Sequence, residues 1–479
     1  MNIRLAMMVL IVVASPGCSK TENQEAATKR SERTSEVGAV EATVRELLEK
    51  AESAQHLNAY ITLDDEGAIA RARQLDQSKD KQLPLFGIPM VAKDNIHIAG
   101  IANTAGTPAL ANFTPTQDNA IVAKLKQAGV VFLGKTNLHE LAFGITSNNA
   151  TYGAVANPVD TSTFAGGSSG GTAAAIAAGL APVGLGTDTG GSVRIPAALT
   201  GIVGFRPSTN RYPKGAVTPI SNTRDTIGVM ARNVTDIALV DAVITDGDEA
   251  LVMADLAKVR LGVPRGFFYA NVDQAAAGLV EETLSQLEGA GVTLVDADIP
   301  QMAELLQVSG FSIALYETVR DLTAYLKEYD TKLSFEDVAA QVASTDVKGV
   351  FGMLLQTPVP ENAYLDALQA RGTLRELCKV YFAENDLDGL IFPTTILPAR
   401  PIEGSMETVE LNGEQVPTFP TYIRNTDLGS IAALPGISLP IGTTAQGLPF
   451  GMEVDGPEMS DRHLLSVALA IETLLKKGD

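Results

Sequence analysis

The stretch from residue 165 to 206 is dominated by Gly, Ser and Ala, and it constrains the fold more than any other part of the chain. Its pattern predicts a small-residue helix over 172–179, a strand over 181–186, a glycine-rich turn, a short helix over 195–200 and a strand over 202–206. Strands and helices that alternate this closely need layered packing, helix against sheet. The rest of the chain continues the alternation. Helices are expected over 39–53, 67–77, 119–128 (with Asp118 as N-cap), 137–143, 274–290, 361–384 and 461–476. Strands are expected over 85–91, 130–133, 259–263, 292–296, 388–392, 436–441 and 449–454. These residues alone define an α/β fold with a mostly parallel or mixed sheet. No internal repeat and no Pro/Gly-rich linker divides the chain after residue 39, so one large domain is expected over 39–479.

The totals narrow the function. With 45% apolar and 19% charged residues, the bulk is not disordered. A formal net charge of −20 repels phosphate backbones and argues against nucleic acid as a partner. The two cysteines, Cys18 and Cys378, are far apart, and no HExxH or CxxC occurs, so a structural metal site is not expected. Only four histidines are present: His56, His97, His139 and His463.

The N-terminus reads as a targeting segment. Arg4 precedes an apolar run over 5–14, which is too short to span a bilayer comfortably. Ser15-Pro16-Gly17-Cys18 then resembles a bacterial lipoprotein cleavage site, with Cys18 as the lipidated residue; plain secretion and an uncleaved anchor are the alternatives. Residues 19–38 read as a flexible tether. An exported, periplasmic or cell-envelope lipoprotein of a bacterium is expected.

Three motifs compete for the chemistry. Gly129-Val-Val-Phe-Leu-Gly134-Lys135-Thr136 fits the letters of a phosphate-binding loop. Its four intervening residues are bulky and look like a strand ending at Gly134, so their N–H groups belong to a sheet. Gly167-Ser168-Ser169-Gly170-Gly171 fits a nucleophile elbow centred on Ser169. The polar residues 157–163 before it do not make the buried strand an elbow follows. The one later histidine, His463, lies in a helix pattern and reads as a solvated residue.

The third constellation accounts for most residues. It joins Gly87-Ile-Pro-Met-Val-Ala-Lys93-Asp94-Asn95, Gly166-Gly-Ser-Ser-Gly-Gly171 and Gly186-Thr-Asp-Thr-Gly-Gly-Ser-Val-Arg194. Serine is a weak nucleophile and needs a base. Where histidine is scarce, a buried lysine can serve, because desolvation favours its neutral form. A second serine can relay the proton, and glycines let backbone N–H groups approach a developing oxyanion.

These segments, with Phe392-Pro-Thr-Thr395 and Pro435-Gly-Ile-Ser-Leu-Pro440, resemble the amidase signature family from about residue 39 to the end. The resemblance implies a large mixed central β-sheet covered by helices on both faces. It also implies Lys93 as base, Ser168 as bridging serine after a cis peptide bond, and Ser192 as acyl-forming nucleophile. It assigns an oxyanion hole to Thr189, Gly190, Gly191 and Ser192, and loop support to Ser169, Asp188 and Arg194. No metal or organic cofactor is implied. Leu138–Asn149, Gly204-Phe-Arg-Pro207 and Asn425-Thr-Asp-Leu-Gly-Ser430 look like the branch of indoleacetamide and mandelamide hydrolases. That branch implies small aryl-acetamides cleaved to acid and ammonia. Export leaves a peptide amidase or a broad-specificity amidase as alternatives, and a non-catalytic amide-binding lipoprotein as one of another class. The tRNA-dependent amidotransferase subunit shares the signature, but export and charge oppose that role. Phe143 reads as a core aromatic rather than an acyl-pocket wall. The expected partner is a small-molecule amide, with membrane contact only through an N-terminal lipid anchor. A homodimer is compatible with the sequence.

Overall fold

The computed structural model describes residues 37–247 and 250–476. The leader, Cys18 and the tether through residue 36 lie outside them. Among the described residues no helix is long and apolar enough to cross a membrane.

Eleven strands form one mixed sheet. In chain order they are β1 (Tyr60–Leu63), β2 (Pro89–Lys93), β3 (Val131–Thr136), β4 (Val183–Asp188), β5 (Val203–Arg206), β6 (Thr226–Ala231), β7 (Arg260–Gly262), β8 (Thr293–Val295), β9 (Gly389–Pro393), β10 (Gly436–Thr443) and β11 (Pro449–Asp455). Across the sheet they run β1-β3-β2-β4-β6-β5-β10-β11-β9-β7-β8. β2 lies parallel to both β3 and β4, and β7 lies parallel to β8 and β9; the central strands are antiparallel. Helices cover both faces. β2 shows how: Met90 and Ala92 enter the core under the 234–244 and 461–475 helices, while Val91 enters the one under Ala174 and Ala175. Alternation along a strand puts Lys93 on the Val91 face. Each buried Val, Leu or Ile in these layers contributes about 1.5–3 kcal/mol.

The helices that matter to the site are α1 (Ala39–Ser53), α2 (Asp65–Gln77), α3 (Gly170–Ala177), α4 (Arg194–Thr200), α5 (Met302–Glu328), α6 (Glu361–Glu384), α7 (Asp427–Ala432) and α8 (Asp461–Leu475). α3 explains the small-residue stretch. Its residues 170–176 are all buried, and a Cβ on Gly171 would strike the carbonyls of Asn137 and Ala59. Only a helix this slim can lie so close to the backbone beneath it.

Several expectations need correction. The strand expected over 85–91 is Pro89–Lys93; Leu85–Ile88 turns through Gly87 at φ +74°, so the apolar run joins a turn to a strand. The 130–133 strand runs on to Thr136, across an irregularity in register at Gly134. Asn119, not Asp118, caps the 120–127 helix: its Oδ1 accepts from the Ile121 N–H at 2.8 Å, while Asp118 accepts from Ala99 N and Lys126. The helix expected over 137–143 is only a short turn at Glu140–Ala142, with Leu141 and Ala142 at φ +52° and +61°. The Glu140 carboxylate instead accepts the N–H groups of Ala343 and Ser344. β1, β6, the 234–244 helix and α5 are elements that the patterns did not reveal.

Candidate active site

β2 delivers Lys93 to the sheet's C-terminal edge, fully buried. Its Nζ donates to Ser168 Oγ at 2.7 Å, to Thr187 Oγ1 at 2.8 Å and to the Thr187 carbonyl at 3.4 Å. Asn95, two residues on, donates from Nδ2 to the same Thr187 hydroxyl at 3.1 Å. Thr187 is thus the floor on which the lysine is set. Burial pushes the Lys93 ammonium down to about 7, against the opposing fields of Asp188 and Asp225. A lysine lowered this far can be unprotonated near neutral pH and accept a proton from the hydroxyl it touches.

Ser168 follows a cis Gly167–Ser168 peptide bond, as the resemblance implies. Its carbonyl accepts from His139 N and Ser147 Oγ, which fixes the residue from the other side. Ser169 does not stand as an elbow nucleophile. It precedes α3, and its hydroxyl pairs with both the N–H and the carbonyl of Thr187 at 3.3 Å. Its N–H donates to the Ser192 carbonyl at 3.1 Å and so ties the two serine segments together.

Ser192 lies on the loop between β4 and α4. At 8% exposure it is the least buried of Lys93, Ser168 and Ser192. The loop is shaped by Asp188, whose carboxylate accepts from Gly191 N at 2.9 Å and Val193 N at 3.1 Å. Arg194 binds both Asp188 oxygens, and Arg206 and Ser430 reach Oδ1. Burial alone would raise this carboxyl; Arg194 and Arg206 override it and hold it well below the usual carboxylate range. Gly191 adopts φ +131°, and a Cβ there would collide with the Thr426 hydroxyl, which itself donates to Gly190 O at 2.5 Å.

Of the four N–H groups expected to form an oxyanion hole, that of Gly191 is engaged by Asp188. Among the described residues the N–H groups of Gly190 and Ser192 meet no acceptor in the chain. Thr189 sits beside them, its hydroxyl donating to Asp225 Oδ1 at 2.6 Å. A cavity of about 280 Å³ opens against Asn95, Thr187 and Thr189, walled by Ile220, Tyr325 and Tyr329.

The structure therefore brings Lys93, Ser168 and Ser169 together, and ties the Ser192 loop to them. It adds residues that sequence reasoning did not single out: Thr187, Asn95, Arg206, Ser430 and Glu453. Arg206 carried a signal, a charged residue closing the apolar run from Ile202 to Phe205. The rejected phosphate loop is a strand, and Lys135 is buried there, 3.0 Å from Asp94. His463 lies exposed in α8, bonded to Asp388. Phe143 packs edge-on to Phe351, in keeping with a core aromatic. Among the described residues no group of three or more His, Cys, Asp or Glu side chains is placed to hold a metal ion.

This fold, with a buried lysine on a serine hydroxyl beneath a glycine–serine loop, defines the class: hydrolases of carbon–nitrogen amide bonds. Comparison with known proteins gives the family. The chain belongs to the amidase signature family, whose model, Amidase, matches residues 42–465. It is 42% identical to an indoleacetamide hydrolase of Agrobacterium vitis over 90% of this chain and 92% of that protein. It is 40% identical to a mandelamide hydrolase of Pseudomonas putida over 88% and 85%. Among solved structures, a crystal structure of an amidase superposes with TM-score 0.81 at 30% identity, covering 94% of this chain and 99% of that one. The native peptide amidase of Stenotrophomonas maltophilia gives 0.79 at 29% identity, covering 94% and 96%.

Proposed function

We propose that this enzyme hydrolyses small aryl-acetamides and similar primary amides to acid and ammonia, through an acyl group carried on Ser192. The observation that carries the reading is the 2.7 Å bond from Lys93 Nζ to Ser168 Oγ, made by a buried amine held near neutrality. Unprotonated Lys93 takes the Ser168 proton, Ser168 takes that of Ser192, and Ser192 Oγ attacks the amide carbonyl. The oxyanion is met by the N–H groups of Gly190 and Ser192, with Thr189 alongside; that of Gly191 becomes available only if Asp188 releases it. The proton returns through Ser168 to the departing ammonia. Water then cleaves the ester by the same route.

The substrate class is supported by the names of relatives at 40% identity or more, an indoleacetamide hydrolase and a mandelamide hydrolase among them. Ammonia release from indoleacetamide, mandelamide, aliphatic amides and peptide amides, measured for the wild type and Ser192→Ala, tests both parts. Aryl-acetamides should lead the panel, and the variant should be silent on all of it. A panel led by peptide amides would give the substrate to the peptide-amidase reading. Residual wild-type activity in Ser192→Ala would remove Ser192 from its role. We further propose that the chain is exported and lipidated on Cys18; Cys18→Ala should then abolish incorporation of labelled fatty acid.

A further inference from the structure

The Ser192 loop rests on a cluster whose charges do not balance when all are ionised. Asp188, Glu453 and Asp455 are carboxyls, Arg194 and Arg206 are the cations, and each of the five is 0% exposed. Three carboxylates against two guanidiniums leave one uncompensated negative charge in a fully buried site, an arrangement costly enough that a group takes up a proton instead.

The hydrogen bonds locate the surplus. Asp188 is saturated with donors, as described above. Glu453 has one, Arg194 NH1 on Oε1, and among the described residues its Oε2 has none. Among the described residues neither oxygen of Asp455 meets a donor. The two residues are two apart on β11, so their side chains share a face. They converge above Gly436, where an added Cβ would strike Asp455 and press on Glu453. Lys93 on β2 reaches Asp188 with its field, but burial holds down its ammonium; among the described residues no other element supplies a compensating charge to Glu453 and Asp455. α4 offers only Arg194, β5 only Arg206 and β4 only Asp188. α7 brings Ser430, bonded to Arg194. α6 brings Cys378, a neutral thiol pushed up to about 12 by burial and by the field of Asp455. Arg224, beyond Arg206, is already paired with Asp427.

We infer that Glu453 and Asp455 hold one proton between them and act together as positioning residues, fixing Arg194 and through it Asp188 and the Ser192 loop. The catalytic consequence rests on the reading of Ser192 given above; the shared proton does not. With the proton in place the five groups sum to zero, and Arg194 divides its donors between Glu453 and Asp188. Without it, the doubly charged pair draws Arg194 from Asp188, and the carboxylate that holds Gly191 N and Val193 N loses its main cation. Burial, in the same sense, holds both carboxyls above the usual carboxylate range.

Glu453→Gln tests this, because the amide supplies permanently what the proton supplies: an acceptor for Arg194 and a donor to Asp455. Infrared difference spectra of the resting enzymes at neutral pH should show a protonated-carboxyl band in the wild type that is absent from Glu453→Gln. The pair binds a proton that the unfolded chain releases above its ordinary carboxyl range. Wild-type stability should therefore fall relative to the variant as pH rises from 5 to 8, by up to about tenfold in the folding equilibrium per pH unit. Glu453→Ala, which leaves Arg194 without its partner, should lower kcat by about tenfold or more with KM within about threefold, and Glu453→Gln should restore it. Asp455→Asn provides the same fixed donor should Glu453→Gln not fold. No band difference, or a stability difference that does not change with pH, would overturn the shared proton. A Glu453→Gln as slow as Glu453→Ala would overturn the positioning role. The band is read without turnover, so an error about Ser192 would not imitate its loss.

Discussion

Lys93 is the residue where stability and function conflict. A lysine held near pH 7 binds fewer protons folded than unfolded between about 7 and the ordinary lysine range, so this site destabilises the native state there and the penalty shrinks as pH rises. Replacing it with Met should raise stability by about 1–3 kcal/mol in thermal or denaturant unfolding while abolishing turnover. The rate should carry the same titration. kcat/KM is expected to fall about tenfold per pH unit below about 7, as the base becomes protonated; a profile flat from pH 5 to 8 would speak against a lysine base. Asp188→Asn should be severe for a different reason. It removes the carboxylate that Arg194 and Arg206 share and leaves one guanidinium charge uncompensated in a fully buried site, a loss of about 3–5 kcal/mol by unfolding. Lys93, Ser168 and Ser192 were legible in the sequence because each stands inside a motif whose chemistry needs it. Thr187, Arg206 and Glu453 were not, since their meaning lies in partners far along the chain: Arg194 and Glu453 are 259 residues apart.

Elements were legible where the burial pattern was clean. The stretch 165–206 resolved into helix, strand, helix and strand within a few residues of the observed bounds, because small residues there serve one purpose, close packing. α5 escaped notice although it is 27 residues long. Its buried positions include Ser309, Gly310, Glu317 and Thr318, polar or small residues that break the apolar rhythm. The opposite error at 137–143 has the same root. Its residues suit a helix, but Glu140, His139 and Asn137 are committed to distant partners that a helix would not let them reach. In the proposed mechanism the glycine-rich loop carries both the nucleophile and the oxyanion donors. Gly191→Ala should reduce kcat by about 100-fold or more, since a side chain at φ +131° must also displace Thr426. Steady-state kinetics would show it as a loss in kcat rather than in KM.

At the scale of the molecule, an eleven-stranded sheet sets the ends of β2 and β4 side by side, and the site is built where these two strands and the segment before α3 meet. Among the described residues no histidine side chain bonds to Lys93, Ser168 or Ser192. The side chains of His97, His139 and His463 bond to Tyr325, Asp346 and Asp388 respectively. His463→Gln should therefore keep kcat within about threefold of wild type. The scarcity of histidine, visible in the sequence, and the burial of Lys93, visible only in the fold, point to one solution: a serine nucleophile served by a lysine. The most direct test of that claim is the site of reaction with a serine-directed fluorophosphonate, located by mass spectrometry in the wild type and in Lys93→Met. One adduct is expected, on Ser192, formed in the wild type and lost or greatly slowed in Lys93→Met. An adduct on Ser169 or any other serine, or labelling of Ser192 that proceeds equally well without Lys93, would contradict it.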